Sequence, residues 1–140
     1  MVCIVSSFRY NLNTTMMTQT LFDRLGGSKG IASIVDDTVN EHMNNVHVNA
    51  RFLPLKEQPE RLAIIKQHTI DFFSMGSGGP QAYHGKDMVT AHKGMNISPA
   101  EYMHVIDDIF VALDKNKMTE DTKKDVLAIL WSLKGMIIAQ

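Results

Sequence analysis

Six histidines and one cysteine are the side chains of this 140-residue sequence best suited to hold a metal or move a proton. Cys3 alone closes no intrachain disulfide and supplies no thiolate cluster, a usage that fits a reducing, cytoplasmic setting. A metal held by imidazole needs a neutral ring fixed in one orientation, usually through a hydrogen bond from its second nitrogen. His42, His47, His68, His84, His92 and His104 fall in no His-Glu-x-x-His pattern, and neither Cys-x-x-Cys nor EF-hand spacing occurs. Zinc and calcium sites built from local motifs therefore have little support. Serine–histidine and cysteine–histidine catalysis have no local signature either.

The elements that must position these residues read as helices. Ile31, Ile34, Val35, Thr38, Val39, His42, Met43 and Val46 recur at spacings of three and four, behind a Gly26-Gly27-Ser28 start in which Ser28 is the expected cap. A break from Asn49 to Pro59 contains Phe52 and two prolines. The next helix carries Leu62, Ile65, Thr69, Phe72 and Phe73 on one side and stops at Gly76-Ser77-Gly78-Gly79-Pro80. A short helical stretch from Lys86 to Lys93 holds His92 and closes at Gly94, which suits a left-handed cap. Ser98-Pro99-Ala100-Glu101 has the reciprocal capping pattern of a helix start, and Thr119 opens the last helix, where Trp131 falls in the apolar stripe as packing. No hairpin signal or sustained alternation argues for a sheet, so the fold class is all-α.

Lys and Arg total 14 against 15 Asp and Glu, a formal charge of -1, so no strong field exists to hold a nucleic-acid backbone or an anionic membrane surface. No stretch reaches the roughly 18 to 20 apolar residues of a membrane span, which argues against integral membrane association. The length fits one soluble domain. Residues 1–17 lack a signal-peptide core and read as a poorly ordered extension upstream of a domain at 18–140. What remains is His92, on a short helix between glycine-rich loops, facing a gap between longer helices rich in Phe, Ile and Met. That setting suits a haem with one protein ligand.

Leu21-Phe22-Asp23-Arg24-Leu25-Gly26-Gly27, Ile34-Val35-Asp36-Asp37, Phe72-Phe73 leading into Gly78-Gly79-Pro80, Tyr83, Gly85, Met88 and Ala91-His92-Lys93-Gly94-Met95-Asn96-Ile97 together resemble a group I truncated haemoglobin. The resemblance runs from about Thr20 to the C-terminus. It implies a two-over-two helical sandwich around haem b, with a very short proximal helix and His92 as the iron ligand. It also implies that Phe52 wedges against the haem and that His68 lies near a propionate; read from the residues alone, His68 is equally a solvent-exposed side chain. Phe72, Phe73 and Met88 join the cofactor wall, although both phenylalanines would be core in any helical bundle.

Group I members usually place a tyrosine and a glutamine or similar donor toward the bound gas. Here Val39 and Thr69 stand at those positions, and Ile65 stands where ordinary globins hold a distal histidine. A hydrogen bond to a partly charged acceptor is worth about 1.5 to 3 kcal/mol, so its loss weakens oxygen binding by about 10- to 100-fold unless Thr69, His42 or a water donates. The resulting expectation is a protein that reversibly binds O2, CO or NO for transport or sensing. The rivals are a nitric oxide dioxygenase with a partner reductase and a haem-free helical interaction module. His42 reads as a core or pocket-edge histidine and His47, His84 and His104 as loop or exposed-face residues. Met43, Met88, Met95 and Met103 read as core or pocket filler.

Overall fold

The computed structural model describes residues 18–140, so the extension expected for residues 1–17 lies outside the described residues. Thr20 opens helix α1 (Leu21–Arg24): its hydroxyl accepts the Asp23 amide proton while the Asp23 carboxylate accepts the Thr20 amide, which satisfies two free donors at once. Gly26, at φ +86°, then turns the chain into α2 (Gly27–Asn44). The cap is this glycine rather than Ser28, whose hydroxyl accepts from the Gln81 side-chain amide. Glycine is also required at position 30, where a Cβ would lie 2.0 Å from the Leu25 carbonyl oxygen. Only a bare backbone lets α2 pass so close to the end of α1.

Helix α2 buries Ile31, Ile34, Val35, Val39 and His42. It stops at Asn44, so Val46 leaves the expected stripe and stands 77% exposed in the following turn. The break expected after Asn49 is itself wound, as α3 (Asn49–Phe52) and a 3-10 turn (Leu53–Glu57). Pro54 and Pro59 sit in first-turn positions, where a missing N–H removes no helical hydrogen bond. Helix α4 (Pro59–Gly76) follows, then α5 (Met88–His92), α6 (Pro99–Lys115) and α7 (Glu120–Ile137). The Ser98–Glu101 capping box and the Thr119 cap form as the sequence pattern predicts. No strand occurs among the described residues; one parallel bridge joins Ile97 to Ile138.

Helix α2 packs against both α4 and α6, α6 pairs with α7, and α5 leans on α7, giving two helix pairs laid across one another. The core sits where α2, α6 and α7 meet, around Ile31, Ile34, Tyr102, Ile106, Leu113 and Leu130. The Tyr102 hydroxyl donates to the Leu130 carbonyl across 2.5 Å, so its polar end is satisfied inside this core. Arg24 ties α1 to α7 through Asp125 (2.5 Å), and Lys66 ties α4 to α2 through Asp36 (2.9 Å). Leu113 is 1% exposed, so Leu113→Ala is expected to lower the unfolding free energy by about 2 to 5 kcal/mol in urea titration, whereas Val46→Ala changes it by no more than about 0.5 kcal/mol.

Candidate functional site

A helix of five residues has little stability of its own, so α5 depends on its ends. Asp87 caps it, accepting from the Thr90 amide (2.9 Å) and hydroxyl (2.6 Å). The Thr90 hydroxyl and then its amide hold the Asp87 carboxyl below the usual carboxylate range. Gly94 closes the turn at φ +82°, the left-handed conformation expected of it. The chain beyond is stitched to the C-terminus, with the Asn96 amide donating to the Gln140 carbonyl and the Ala139 amide to the Ile97 carbonyl, each at 2.9 Å.

On this platform His92 is half-buried and its Nδ1 lies 2.7 Å from the Met88 carbonyl oxygen. A carbonyl only accepts, so Nδ1 carries a proton and Nε2 is the ring nitrogen left to bind a metal. No hydrogen-bond partner for Nε2 is found among the described residues. A hydrogen bond from the second ring nitrogen is the orienting contact that a metal-binding imidazole usually has.

The second wall is α4. It rests on α2 and shares at most marginal contact with α5, α6 and α7. Leu62, Ile65, Thr69, Phe72 and Phe73 are consequently half-buried, since this side of α4 has no helix packed squarely on it. Phe73 packs against the core, while Phe72 stands edge-on to Phe73 (5.9 Å) and Tyr83 (5.3 Å). His68 is exposed beside Tyr83, its ring edge-on at 6.1 Å. The Thr69 hydroxyl donates to the Ile65 carbonyl at 2.8 Å, which commits its proton to the helix backbone. An apolar half-buried wall on α4 and a single free imidazole nitrogen on α5 fit a flat apolar cofactor with one nitrogen ligand. Among the described residues no group of three or more His, Cys, Asp or Glu side chains is arranged to hold a bare metal ion.

Val39 and His42 lie one turn apart on the buried face of α2. The His42 ring stacks on Phe52 at 4.5 Å and 30°, and its Nδ1–H donates to Asp108 Oδ2 at 2.7 Å. Asn45 donates to the other oxygen of Asp108 at 2.9 Å. Burial outweighs the pull of Asp108 and of Glu41, and holds His42 below the ordinary imidazole value. Next to Phe52, Arg51 forks onto Glu101 (2.8 and 3.2 Å) and donates to the Met95 carbonyl (3.0 Å), joining α3, the start of α6 and the loop after His92. Sequence reasoning missed Asp108, Asn45, Arg51 and Glu101 as parts of the site. Asp108 alone carried a signal, since it precedes Ala112 by one turn on the buried side of α6.

His47 and His104, expected as separate surface residues, stack on each other at 3.9 Å and 7°. Trp131 is 57% exposed rather than packed: it lies one residue past buried Leu130, and Lys134 covers its ring at 3.3 Å. Met95 and Met103 are exposed, not core, while Met43 and Met88 are half-buried.

Two crossed helix pairs with a one-turn helix presenting a single imidazole define a truncated globin fold. Solved structures agree: the truncated hemoglobin of Tetrahymena pyriformis in its Fe(III) form aligns with a TM-score of 0.77 and 22% identity over 87% of this chain and 100% of that one. The group II truncated hemoglobin of Bacillus anthracis aligns at 0.74 and 20%, over 87% and 92%. A group 1 truncated hemoglobin of Tetrahymena pyriformis is 28% identical over 129 residues, covering 78% of this chain and 95% of the relative. Residues 20–139 match the bacterial-like globin family, and the chain belongs to that family. The resemblance read from the sequence is borne out, as is the all-α two-over-two fold.

The Arg51 fork and the Ser98 amide hold the Glu101 carboxyl at about 2, below its ordinary 4.5. A depressed carboxyl stabilises the fold above its unfolded value, and this contribution is lost as pH falls from 4.5 toward 2. Denaturation midpoints followed across that window should fall for the wild type, and the fall should be shallower in Glu101→Gln.

Proposed function

We propose that the chain binds haem b and, through it, reversibly binds a diatomic gas. The observation that carries this reading is the His92–Met88 hydrogen bond, which fixes the ring through Nδ1 and leaves Nε2 without a partner among the described residues. Haem b at this site would supply an iron with one position held by His92 Nε2 and one open to O2, CO or NO. Phe72, Phe73 and Met88 would contribute apolar surface to the cofactor seat, Phe52 would wedge against its edge, and exposed His68 would reach a propionate. Val39, Ile65 and Thr69 would line the gas side.

The gas-side chemistry follows from where the protons are. Val39 and Ile65 have none to give, the Thr69 hydroxyl donates to the Ile65 carbonyl, and the Nδ1–H of His42 goes to Asp108. With neutral His42 offering only a lone pair at Nε2, these side chains present no free donor to a bound gas near neutral pH. That favours quick release, and so reversible binding over nitric oxide dioxygenation, which requires oxygen to stay until nitric oxide arrives.

Two outcomes check this. After expression with a haem precursor, the wild type should show a Soret band that His92→Ala loses and added imidazole restores; well-folded wild-type protein that takes up no haem would overturn the reading. In stopped flow, oxygen should leave at least about tenfold faster than from a pocket with a tyrosine donor. Thr69→Val should leave that rate within about twofold, because its proton is already spent on Ile65.

A further inference from the structure

His42 and Asp108 form a buried ionisable pair that the cofactor seat does not require, with side chains only 7% and 9% exposed. Burying a carboxylate is costly, and a pair of apolar residues would fill the same space at no loss of stability. What the polar pair adds is orientation and a titratable proton. Asp108 takes one hydrogen bond from His42 and one from Asn45, so the imidazole is held in one tautomer between α6 and the ring of Phe52. Phe52 is therefore fixed twice: its backbone through the neighbouring Arg51 fork, its ring plane through His42.

We infer that His42 is a positioning residue that sets the Phe52 ring, and through it the affinity of the gas site, according to whether the imidazole is protonated. The affinity half of this inference rests on the haem reading above; the positioning half does not. A proton taken up at Nε2 turns the Asp108 contact into a charge-assisted ion pair and the Phe52 contact into a cation–π pair, and both changes act on the ring that wedges the cofactor edge.

The groups around His42 allow this uptake. Asp108 faces it from α6, and Glu41 on its own helix is engaged by Lys115. Of the cations on the elements packed against α2, Lys66 on α4 is paired with Asp36 and Arg51 on α3 is held by Glu101. The stacked His47 and His104 belong to the same corner, since the His47 amide donates to Asn45 and His104 precedes Asp108 by one turn. Burial opposes uptake, so protonation falls below the ordinary value of 6.5.

The test uses the full chain in two forms. In the haem-free protein, proton NMR should show the Phe52 ring signals shifting with the same midpoint as the His42 ring, below pH 6.5. In the haem-loaded protein, the oxygen dissociation rate should change by about two- to fivefold over that same step. Both steps should vanish in His42→Phe, which keeps the stack and removes the proton. In Asp108→Asn, which keeps an acceptor for Nδ1–H but removes the charge, the midpoint should move to lower pH, and this variant decides the matter if His42→Phe fails to fold. Phe52 signals that ignore the His42 titration would overturn the positioning claim with or without haem. An oxygen step that persists unchanged in His42→Phe would overturn the affinity claim and point to His47 and His104 instead. Failure of the wild type to take up haem would overturn the gas-binding reading and the affinity claim together, while the Phe52 titration still judges the positioning claim alone.

Discussion

One hydrogen bond, from His92 Nδ1–H to the Met88 carbonyl, governs the rest of the site. It closes within a five-residue helix, so it joins two residues of the same single turn and survives only while that turn does. An isolated turn of this length is unstable in water because nucleation costs more than one hydrogen bond returns. The structure supplies the missing stability from outside the turn. Asp87 and Gly94 fix its ends, and α7 supports it from behind. The Ile97–Ile138 bridge with its flanking hydrogen bonds then clamps the following loop to the C-terminus. The last few residues of the chain thus take part in orienting a ring more than forty positions earlier.

The second constraint is the division of labour among the long helices. Helix α2 touches both α4 and α6, and its buried residues complete a core with α6 and α7 that needs little from α4. That leaves α4 anchored along one side with its Leu62–Phe73 face half-buried. An apolar face of this kind carries an unfavourable exposure in water, at roughly 25 cal/mol per Å², which an apolar ligand would relieve on binding. The same organisation explains the buried polar cluster at the α2–α6 crossing. There Asp108 links His42, Asn45 and, through the His42 stack, Phe52.

Much of this architecture is legible from local sequence. The Ser98–Glu101 box, the Thr119 cap and the left-handed Gly94 each depend on residues a few positions apart, and each forms as expected, while the short helix carrying His92 runs Met88–His92, shorter than the expected stretch from Lys86 to Lys93. Fold and family were accessible for the same reason, since the motifs from Leu21 to Ile97 keep their order. The failures have a common physical cause in long-range partnership. Asp108 is 66 residues from His42, and Arg51 is 50 from Glu101, so neither partnership leaves a spacing to read. Trp131 and Val46 show the opposite error: both sit near an apolar stripe, but one residue past Leu130 or past the end of α2 is enough to turn a side chain outward.

The central proposal is that His92, on its one-turn helix, holds the metal, whereas His42, although also oriented, stays engaged with Asp108 and stacked on Phe52. Nitrogen-15 NMR of histidine-labelled, haem-loaded ferrous protein tests it directly. The account predicts one histidine with strongly hyperfine-shifted ring nitrogens, its protonated nitrogen slow to exchange in D2O because it is held by Met88, and the absence of that signal set in His92→Ala. Hyperfine shifts on His42 or His68 in the wild type, or shifted signals that survive in His92→Ala, would contradict it.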